Sequence, residues 1–525
     1  MTQPYVQDYA LTLNRFLEHA ARWAPSAGVV TALGGGATTR ISYEALLASS
    51  LRFSASLQHL GVRKGDRIAT LAWNTQAHVE AWYGVAGIGA IVHTLNPRLA
   101  IETLAVMVRQ AECDFLIVSA SLAAMGVDLA QLAPSLRQII VIDEPVDIAT
   151  LNASIPICLH QDMAGGGPVT WGDFEETTPA GLCFTSGTTG DPKGVVYTHR
   201  SSYLHTLRVL QADVIAPTSA DNILKVVPMF HANGWGLPFA APAVGASLIL
   251  PGRHADGENL SSLIASERVT IAAGVPTVWL GVVDHLDATG EELPTLKRII
   301  VGGAPMSVQL MDRIEKRIGA IVQTSWGMTE LTPLGAIAPA GLATREAASA
   351  GRCAIGVDLL LKDADGNPLP TQRGVEGRLH VKGHSVVNRY YGHDAPAVDG
   401  GGWFDTGDLA RLGDDGSLYI TGRAKDLIKS GGEWINPAEI EALVGQLPAV
   451  AQVAVIARSD PKWGERPVLI VEMRADQTAG DDDLLATLRN RVPSWWMPDA
   501  IVRVPKLPLA ATGKIDKRRL RAEFG

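Results

Sequence analysis

The sequence predicts an α/β protein with a large N-terminal domain of parallel-rich sheets flanked by helices, a small β subdomain, and a small α+β C-terminal domain. Three observations carry this reading. Short β-rich runs alternate with helical patterns through most of the 525 residues, the order expected of parallel strands joined by crossover helices. Near residue 360 the texture changes to turn sequences between short strands. Beyond Tyr419-Ile-Thr-Gly-Arg it changes again, to strand, helix, strand, strand and helix within about one hundred residues, a normal domain size.

The elements follow in order. In the N-terminal stretch, Leu13, Phe16, Leu17, Ala20 and Ala21 recur at helical spacing, which predicts an amphipathic helix packed on the body. The stretch has no early basic residue and no unbroken apolar core, so no signal peptide is expected. Gly34–Gly36 predicts a hairpin turn before Thr38–Ser42. Strands are expected at Arg67–Ala72, Phe115–Ser119, Gln138–Ile142, Ala246–Leu250 and Arg298–Val301, with helices at Ile41–Leu60 and Ala77–Ala90. Val226 to Gly252 lacks Asp, Glu, Lys and Arg, but Pro228, Pro238, Pro242, Pro251 and four glycines would break a spanning helix. It reads as buried strand, loop and helix in a core, with no integral membrane association.

Turn sequences at Asp363–Pro368, Asp399–Gly402 and Gly413–Ser417 delimit the strands of the β subdomain. The last unit reads as helix Pro437–Leu447, strands Val453–Ala457 and Val468–Met473, and helix Asp483–Arg491. The domain boundaries are therefore set at 1–422, a junction at 423–426, and 427–525. No repeat of fixed period is present.

Composition excludes several functions. Hydrophobic residues are 47% and charged ones 19%, so the chain buries large cores. A net charge of −9 argues against a nucleic-acid or anionic-membrane binder, and any anionic ligand must be held by a local site. Cys113, Cys158, Cys183 and Cys353 are far apart without metal-ligand spacing, so neither a zinc site nor a disulfide framework is expected. That usage points to the reducing cytoplasm. Gly87-x-Gly89 lacks the third glycine of a dinucleotide fingerprint and reads as close helix packing.

The most informative segment is Phe184-Thr-Ser-Gly-Thr-Thr-Gly-Asp-Pro-Lys-Gly. Four hydroxyls (Thr185, Ser186, Thr188, Thr189), three glycines and Lys193 fall within ten positions between apolar runs. Glycines let backbone N–H groups approach a phosphate, hydroxyls add donors, and lysine adds charge. The Walker spacing is absent. A polar surface loop is the bland alternative, but such loops seldom sit between apolar strands.

This segment resembles the signature of the acyl-adenylate-forming superfamily. Six further matches run in family order. They are Val227-Pro-Met-Phe-His-Ala-Asn-Gly-Trp, Val301-Gly-Gly-Ala-Pro, Ser325-Trp-Gly-Met-Thr-Glu, Trp403-Phe-Asp-Thr-Gly-Asp, Gly422-Arg-Ala-Lys-Asp-Leu-Ile-Lys-Ser-Gly-Gly-Glu and Ala511-Thr-Gly-Lys. The resemblance implies a two-step reaction. A carboxylate attacks the α-phosphorus of ATP to give acyl-AMP and pyrophosphate, and a thiol then displaces AMP. Positioning and electrostatic stabilisation should dominate such chemistry.

Residue roles follow by resemblance. Thr185, Ser186, Gly187, Thr188, Thr189 and Lys193 would hold the β- and γ-phosphates. Thr329 would bind the α-phosphate, and Glu330 with Thr185 would meet Mg²⁺. Gly303, Ala304 and Pro305 resemble the adenine wall, beside Ser325 and the aromatic Trp326, where most relatives have Tyr. Asp408 would accept the ribose hydroxyls with Arg423 beside it, although Asp408 could equally cap a turn and Arg423 pair on the surface. Lys514 would neutralise the carboxylate and α-phosphate together, while Lys517 to Arg521 read as a solvated basic face. Lys425 marks a hinge that makes the C-terminal domain mobile. Rotation there would bring up a second face of Lys429, Gly431, Gly432 and Trp434 for CoA, the glycines admitting the pantetheine arm.

The acid site is expected around His231, Trp235, Gly302 and Gly327. Peptide-synthetase relatives place an aspartate where His231 stands, so the anchor for an amino acid's ammonium is missing and an apolar acid fits better. Trp235 resembles the gate tryptophan of bacterial long-chain fatty-acyl-CoA synthetases. That branch also holds medium-chain enzymes and 3-methylmercaptopropionate–CoA ligases, and Trp235 could equally close the pocket to long chains. The branch further implies a homodimer with the N-terminal helix as a contact. An aryl-acid CoA ligase, and an adenylating enzyme whose second step uses a carrier protein or oxygen, are the alternatives. No carrier domain follows, which favours free CoA.

Overall fold

The computed structural model describes residues 6–163, 165–185, 192–342, 345–474, 477–510 and 514–525. Three sheets organise them. The first has seven strands in the order Ile157–Leu159, Gln138–Ile142, Phe115–Ser119, Arg67–Leu71, Ile91–Thr94, Pro179–Thr185 and Lys193–Thr198. All neighbours are parallel except the last pair, an antiparallel hairpin that brackets the Gly-rich loop. Runs such as Phe115–Ser119 are buried throughout, as strands covered on both faces must be.

The second sheet has thirteen strands and two characters. One half runs Ile321–Gly327, Arg298–Val301, Ile271–Gly274, Asn222–Lys225, Ser247–Leu250 and Gly28–Gly34, all parallel, with Ala37–Ser42 added antiparallel at the edge. The Gly34–Gly36 turn of that edge hairpin has positive φ at all three residues, which is why glycine occupies it. The other half runs Leu334–Ile337, Ser349–Cys353, Ser417–Arg423, Phe404–Leu412, Glu376–Gly383 and Val357–Lys362, all antiparallel. The β-rich stretch expected after residue 360 is thus an antiparallel run continuing the large sheet. The strand Ile321–Gly327 is the seam. Residues 321–324 pair parallel to Arg298–Val301, and 325–327 pair antiparallel to Leu334–Ile337. Such a change of direction opens a crevice beyond the strand ends, where α/β sheets bind ligands.

One apolar core joins the two large sheets through helix Gln76–Gly87, which is buried from His78 to Gly87. Helix Asn14–Trp23 packs Phe16, Leu17 and Ala20 into the same core, as its periodicity predicts, while Ala21 is only half-buried. The expected helices begin at Tyr43, two residues late, and at Gln76, one residue early, because Ser42 and Thr75 cap the orphan N–H groups of Ala45 and His78. Within the uncharged stretch, the strand ends before it, at Lys225. A loop, the short helix Leu237–Val244 and the strand Ser247–Leu250 follow, an order different from the one expected. No helix among the described residues is long and apolar enough to cross a membrane.

The third sheet is Glu433–Ile435, Ile428–Ser430, Gly464–Met473 and Val450–Asp460, with Ala500–Val504 added parallel to Gly464–Met473. Its two helices are shorter than expected, Pro437–Val444 and Asp481–Ala486. Helix Lys517–Phe524 corrects part of the reading of Lys517 to Arg521 as a solvated face, since Arg518 and Arg519 are exposed but their neighbours are not. Lys517 meets Glu441 at 2.6 Å and Arg521 meets Asp426 at 2.6 Å, while Leu520 is buried. Those carboxylates come from distant segments, so the pairing has no local sequence signal.

Candidate functional site

The C-terminal ends of three parallel strands, the seam strand and the turn holding Lys514 enclose a cavity of about 410 Å³. One side is apolar, with Val209, Ile215, Val226, Val227, Val275, Val278, Ile300 and Leu334. The other is the seam, Ser325 to Thr329. His231, Trp235, Gly303, Arg98 and Lys514 complete the lining. A recess of about 490 Å³ over Gln309, Asp312, Arg313, Lys316 and Arg317 is a surface groove in which Arg313 pairs with Asp284 and Asp287. No motif residue reaches it.

On the seam side, polar groups are paired. Ser325 donates from Oγ to the Val301 carbonyl at 2.9 Å, tying the seam to the neighbouring strand. A Cβ on Gly302 would fall 2.5 Å from that Oγ and 3.1 Å from the Trp235 indole, so only glycine fits there. Trp326 is 8% exposed, and its Nε1 donates to Asp408 Oδ2 at 3.0 Å. Asp408 Oδ1 lies 2.7 Å from Arg423 Nε, and Arg423 also donates to the Thr406 carbonyl. Burial raises the Asp408 pKa, and Arg423 and the Trp326 N–H oppose that rise. Neither a turn cap nor a surface pair describes these two residues, because Asp408 is almost wholly buried.

Glu330 is buried, and burial raises its pKa against the hydrogen bond that Tyr390 Oη donates at 3.0 Å. The Tyr390 ring lies beneath Lys193 Nζ at 5.1 Å, within cation–π reach. Tyr197 Oη donates to the Thr329 carbonyl at 2.7 Å and fixes that turn. Thr185 Oγ1 donates weakly to the Lys193 carbonyl at 3.5 Å. Ser186, Gly187, Thr188 and Thr189 lie outside the described residues.

Lys514 reaches the cavity from a turn in which the Ala510 N–H donates to its carbonyl at 2.7 Å and Leu509 bridges Ile515. Crowding by the cleft lowers its pKa first and Arg423 lowers it further, while Asp408 opposes both. The side chain still meets solvent through the open mouth. Arg423 and Lys425 lower the Lys514 pKa while Asp408 opposes them, and Asp426 stands beside Lys425, so cations and carboxylates interleave at this edge of the cavity.

The apolar side works differently. His231 lines the cavity with Nε2 unpartnered, and burial pushes its pKa down to about 4, so it is neutral at pH 7. Trp235 turns its indole toward Gly302 and Gly303 from a left-handed backbone, φ +58. The cavity thus brings together Lys514, Thr329, Ser325, Trp326, Gly327, Gly303, His231 and Trp235. Ala304 and Pro305 continue the loop beyond its lining. Lys425 sits in the short turn Ala424–Asp426, and Lys429, Gly431, Gly432 and Trp434 lie outside the lining. On that hairpin Lys429 stacks on the exposed Trp434 at 5.4 Å.

Sequence reasoning missed Arg98, Tyr390 and Met328. The only signals were a lone arginine after Asn-Pro, a Tyr-Tyr pair before glycine, and an apolar residue inside a motif already recognised.

The family model for AMP-binding enzymes matches residues 17–391, and the one for the AMP-binding enzyme C-terminal domain matches residues 439–514. The medium-chain-fatty-acid–CoA ligase of Ectopseudomonas oleovorans is 36% identical over 98% of this chain and 96% of its own. The 3-methylmercaptopropionyl-CoA ligase of Ruegeria pomeroyi is 37% identical over 98% and 97%. Among solved structures, an anthranilate CoA ligase in complex with anthranoyl-AMP superimposes with a TM-score of 0.87 over 100% of this chain and 99% of its own. At 23% identity that likeness concerns the fold alone.

Proposed function

The chain belongs to the AMP-binding enzyme family, as an AMP-forming acyl-CoA ligase, and from that premise we propose that it activates an apolar alkyl acid, medium- or long-chain fatty or methylthio-alkanoic. The observation that carries the choice of acid is the cavity wall. Apart from Arg98, the neutral His231 and Thr277, the acid side is lined by aliphatic groups and Trp235, with no carboxylate among the described residues to meet an ammonium.

In the first step ATP lies along the seam. Trp326 and Gly303 flank the adenine with Ala304 and Pro305. Asp408 takes the ribose hydroxyls, since each of its oxygens keeps a lone pair beyond those used by Arg423 and Trp326. The loop from Thr185 to Lys193 holds the outer phosphates, and Thr329 holds the α-phosphate. Lys514 sits between two anions that repel each other and lowers the cost of bringing them together. The neutral His231 offers Nε2 to the acid without adding charge. Glu330 and Thr185 would hold Mg²⁺. Among the described residues no three acidic, His or Cys side chains gather, which suits a hard cation bound through one carboxylate and substrate phosphates. Bound there, the ion neutralises phosphate charge.

In the second step the 427–525 unit rotates about residues 423–426, withdrawing Lys514 and presenting Lys429, Gly431, Gly432 and Trp434 to CoA. We place the enzyme in the cytoplasm, consistent with four cysteines that form no disulfide, and propose a homodimer, to be checked by light scattering.

The test is pyrophosphate release with ATP, Mg²⁺ and a panel of acids, each with and without CoA. The panel spans short, medium and long alkyl acids, methylthiopropionate, benzoate and cinnamate. CoA-dependent turnover on an alkyl subset is expected. Turnover confined to the aromatic acids would establish the aryl-acid alternative, and turnover indifferent to CoA would point to another acceptor.

A further inference from the structure

Lys225 is a buried cation that the reaction does not use. It ends the strand Asn222–Lys225, is 0% exposed, and has no ion pair among the described residues. Its Nζ donates to the Val227 carbonyl at 2.7 Å and to Asn74 Oδ1 at 3.0 Å. Burial drives its pKa far below the ordinary lysine value. Asn74 is the other half of a clasp. Its Nδ2 donates to the carbonyls of Lys225, Val226 and Val227, and its Oδ1 also accepts the Met229 N–H at 2.8 Å.

The clasp holds the segment that carries the acid side of the cavity. Val226, Val227, His231 and Trp235 all lie on it. Farther along, the Lys225 stem presses on Gly234. A Cβ there would stand 2.0 Å from Lys225 Cε. On the opposite side His205 presses on Gly236, where a Cβ would stand 2.7 Å from Nδ1. Between them the backbone is left-handed at three successive residues, with φ of +61, +58 and +71 at Gly234, Trp235 and Gly236. A tryptophan holds that conformation only when its surroundings impose it. The consequence is the placement of the indole against Gly302 and Gly303, where it bounds the acyl space.

We propose that Lys225 is a positioning residue for acid selection: with Asn74 it seats the turn around Trp235 and so sets the length of acyl chain the cavity accepts. This rests on the ligase reading above. An amine on a flexible stem suits the task, since it fills space against Gly234 while its N–H groups tie the Val227 carbonyl and Asn74 Oδ1.

The experiment compares wild type with Lys225→Met, which keeps the stem volume and removes both hydrogen bonds. Acid KM and kcat are measured across short, medium and long alkyl acids, beside the ATP dissociation constant by calorimetry and the Tm. The expected result is a displaced chain-length optimum, with KM for the wild-type optimum raised about tenfold and ATP binding unchanged, a shift typical of one or two methylenes gained or lost in a pocket. A uniform loss across all acids with unaltered ratios would overturn the proposal. Should Lys225→Met fail to fold or to bind ATP, Gly234→Ala applies the same test from the opposite side of the contact. A changed acid ratio supports the clasp and an unchanged ratio overturns it. A wild-type enzyme silent on every acid would instead refute the ligase reading, before either variant is made.

Discussion

The two halves of the thirteen-stranded sheet meet at one strand and solve different problems. On the antiparallel half, charged groups stay in place by pairing, with Asp408 held by Arg423 and Trp326, and Glu330 by Tyr390. On the parallel half, burial works against charge and lowers the pKa of His231, His205 and Lys225. The nucleotide side faces a ligand whose charges are the same whatever acid is used, so fixed opposite charges and donors suit it. Under the proposed reading the acid side faces an alkyl chain, where a retained charge would only cost desolvation and where shape discriminates. Lys514 lines the cavity between the two halves.

The largest effect should come from that lysine. Lys514→Ala should lower adenylation, read as pyrophosphate release, by about 10²–10³, the usual cost of removing one stabiliser of developing charge. Thioester formation from supplied acyl-AMP should be spared, because the second face lies elsewhere. Equal loss in both half-reactions would break the division between faces.

This comparison also explains what could be read from the sequence. Asp408, Arg423, Thr329, Glu330, Trp326 and Lys514 could be named from the sequence because they stand in motifs of fixed order, and the structure brings Thr329, Trp326 and Lys514 to one cavity with Asp408 and Arg423 behind Trp326. The strands Phe115–Ser119, Gln138–Ile142 and Arg298–Val301 were legible to the residue because full burial leaves an unbroken apolar run. Lys225 was not. At the end of a short strand it has the appearance of a solvated lysine, and its burial depends on Asn74, 151 residues away. Tyr390 likewise acquires its role only by reaching Glu330 across 60 residues. The Lys517–Glu441 pair failed the same way, since a basic run carries no sign of which carboxylates the fold will bring to it.

The second prediction sets the two halves against each other in pH. His78, behind the acid side, is fully buried and its pKa is pushed from 6.5 to about 4. As pH falls through 6.5 the unfolded chain takes a proton that the fold refuses until about 4, so stability is lost over that window. The full loss is about 3 kcal/mol. Asp408 has the opposite sign. Its raised pKa lets the fold keep a proton that the unfolded chain releases above its ordinary value of 3.8, so its contribution falls as pH rises. Tm measured from pH 7 to pH 4 should therefore show a shallower acidic decline in His78→Gln and a steeper one in Asp408→Asn. Burial is the first cause of both shifts and the signs differ because one group is a base and the other an acid, so parallel curves would mean that burial displaces neither.

Trp235→Ala sharpens the acid side alone. Removing the indole should enlarge the acyl space and favour longer acids over shorter ones by about tenfold in kcat/KM, with little change in ATP affinity. An unchanged ratio would make Trp235 a packing residue rather than a boundary of the pocket.

The smallest effect tests the seam itself. Trp326 spends its only donor on Asp408, and a Cβ on Gly335 would stand 2.4 Å from its ring, so the indole is fixed by both an edge and a face. Trp326→Phe keeps an aromatic surface for the adenine and deletes the N–H. Asp408 keeps Arg423, so the loss should stay near 1 kcal/mol, read as a rise of about fivefold in the KM for ATP. The ratio of kcat/KM between long and short acids should not move, because the strand meets the acid side through Ser325 and the glycines rather than through this hydrogen bond. A shift in that ratio would mean that Ile321–Gly327 transmits strain from its antiparallel end to its parallel end. Nucleotide binding and acid choice would then be coupled through a single strand, and the division of labour between the halves would have to be abandoned.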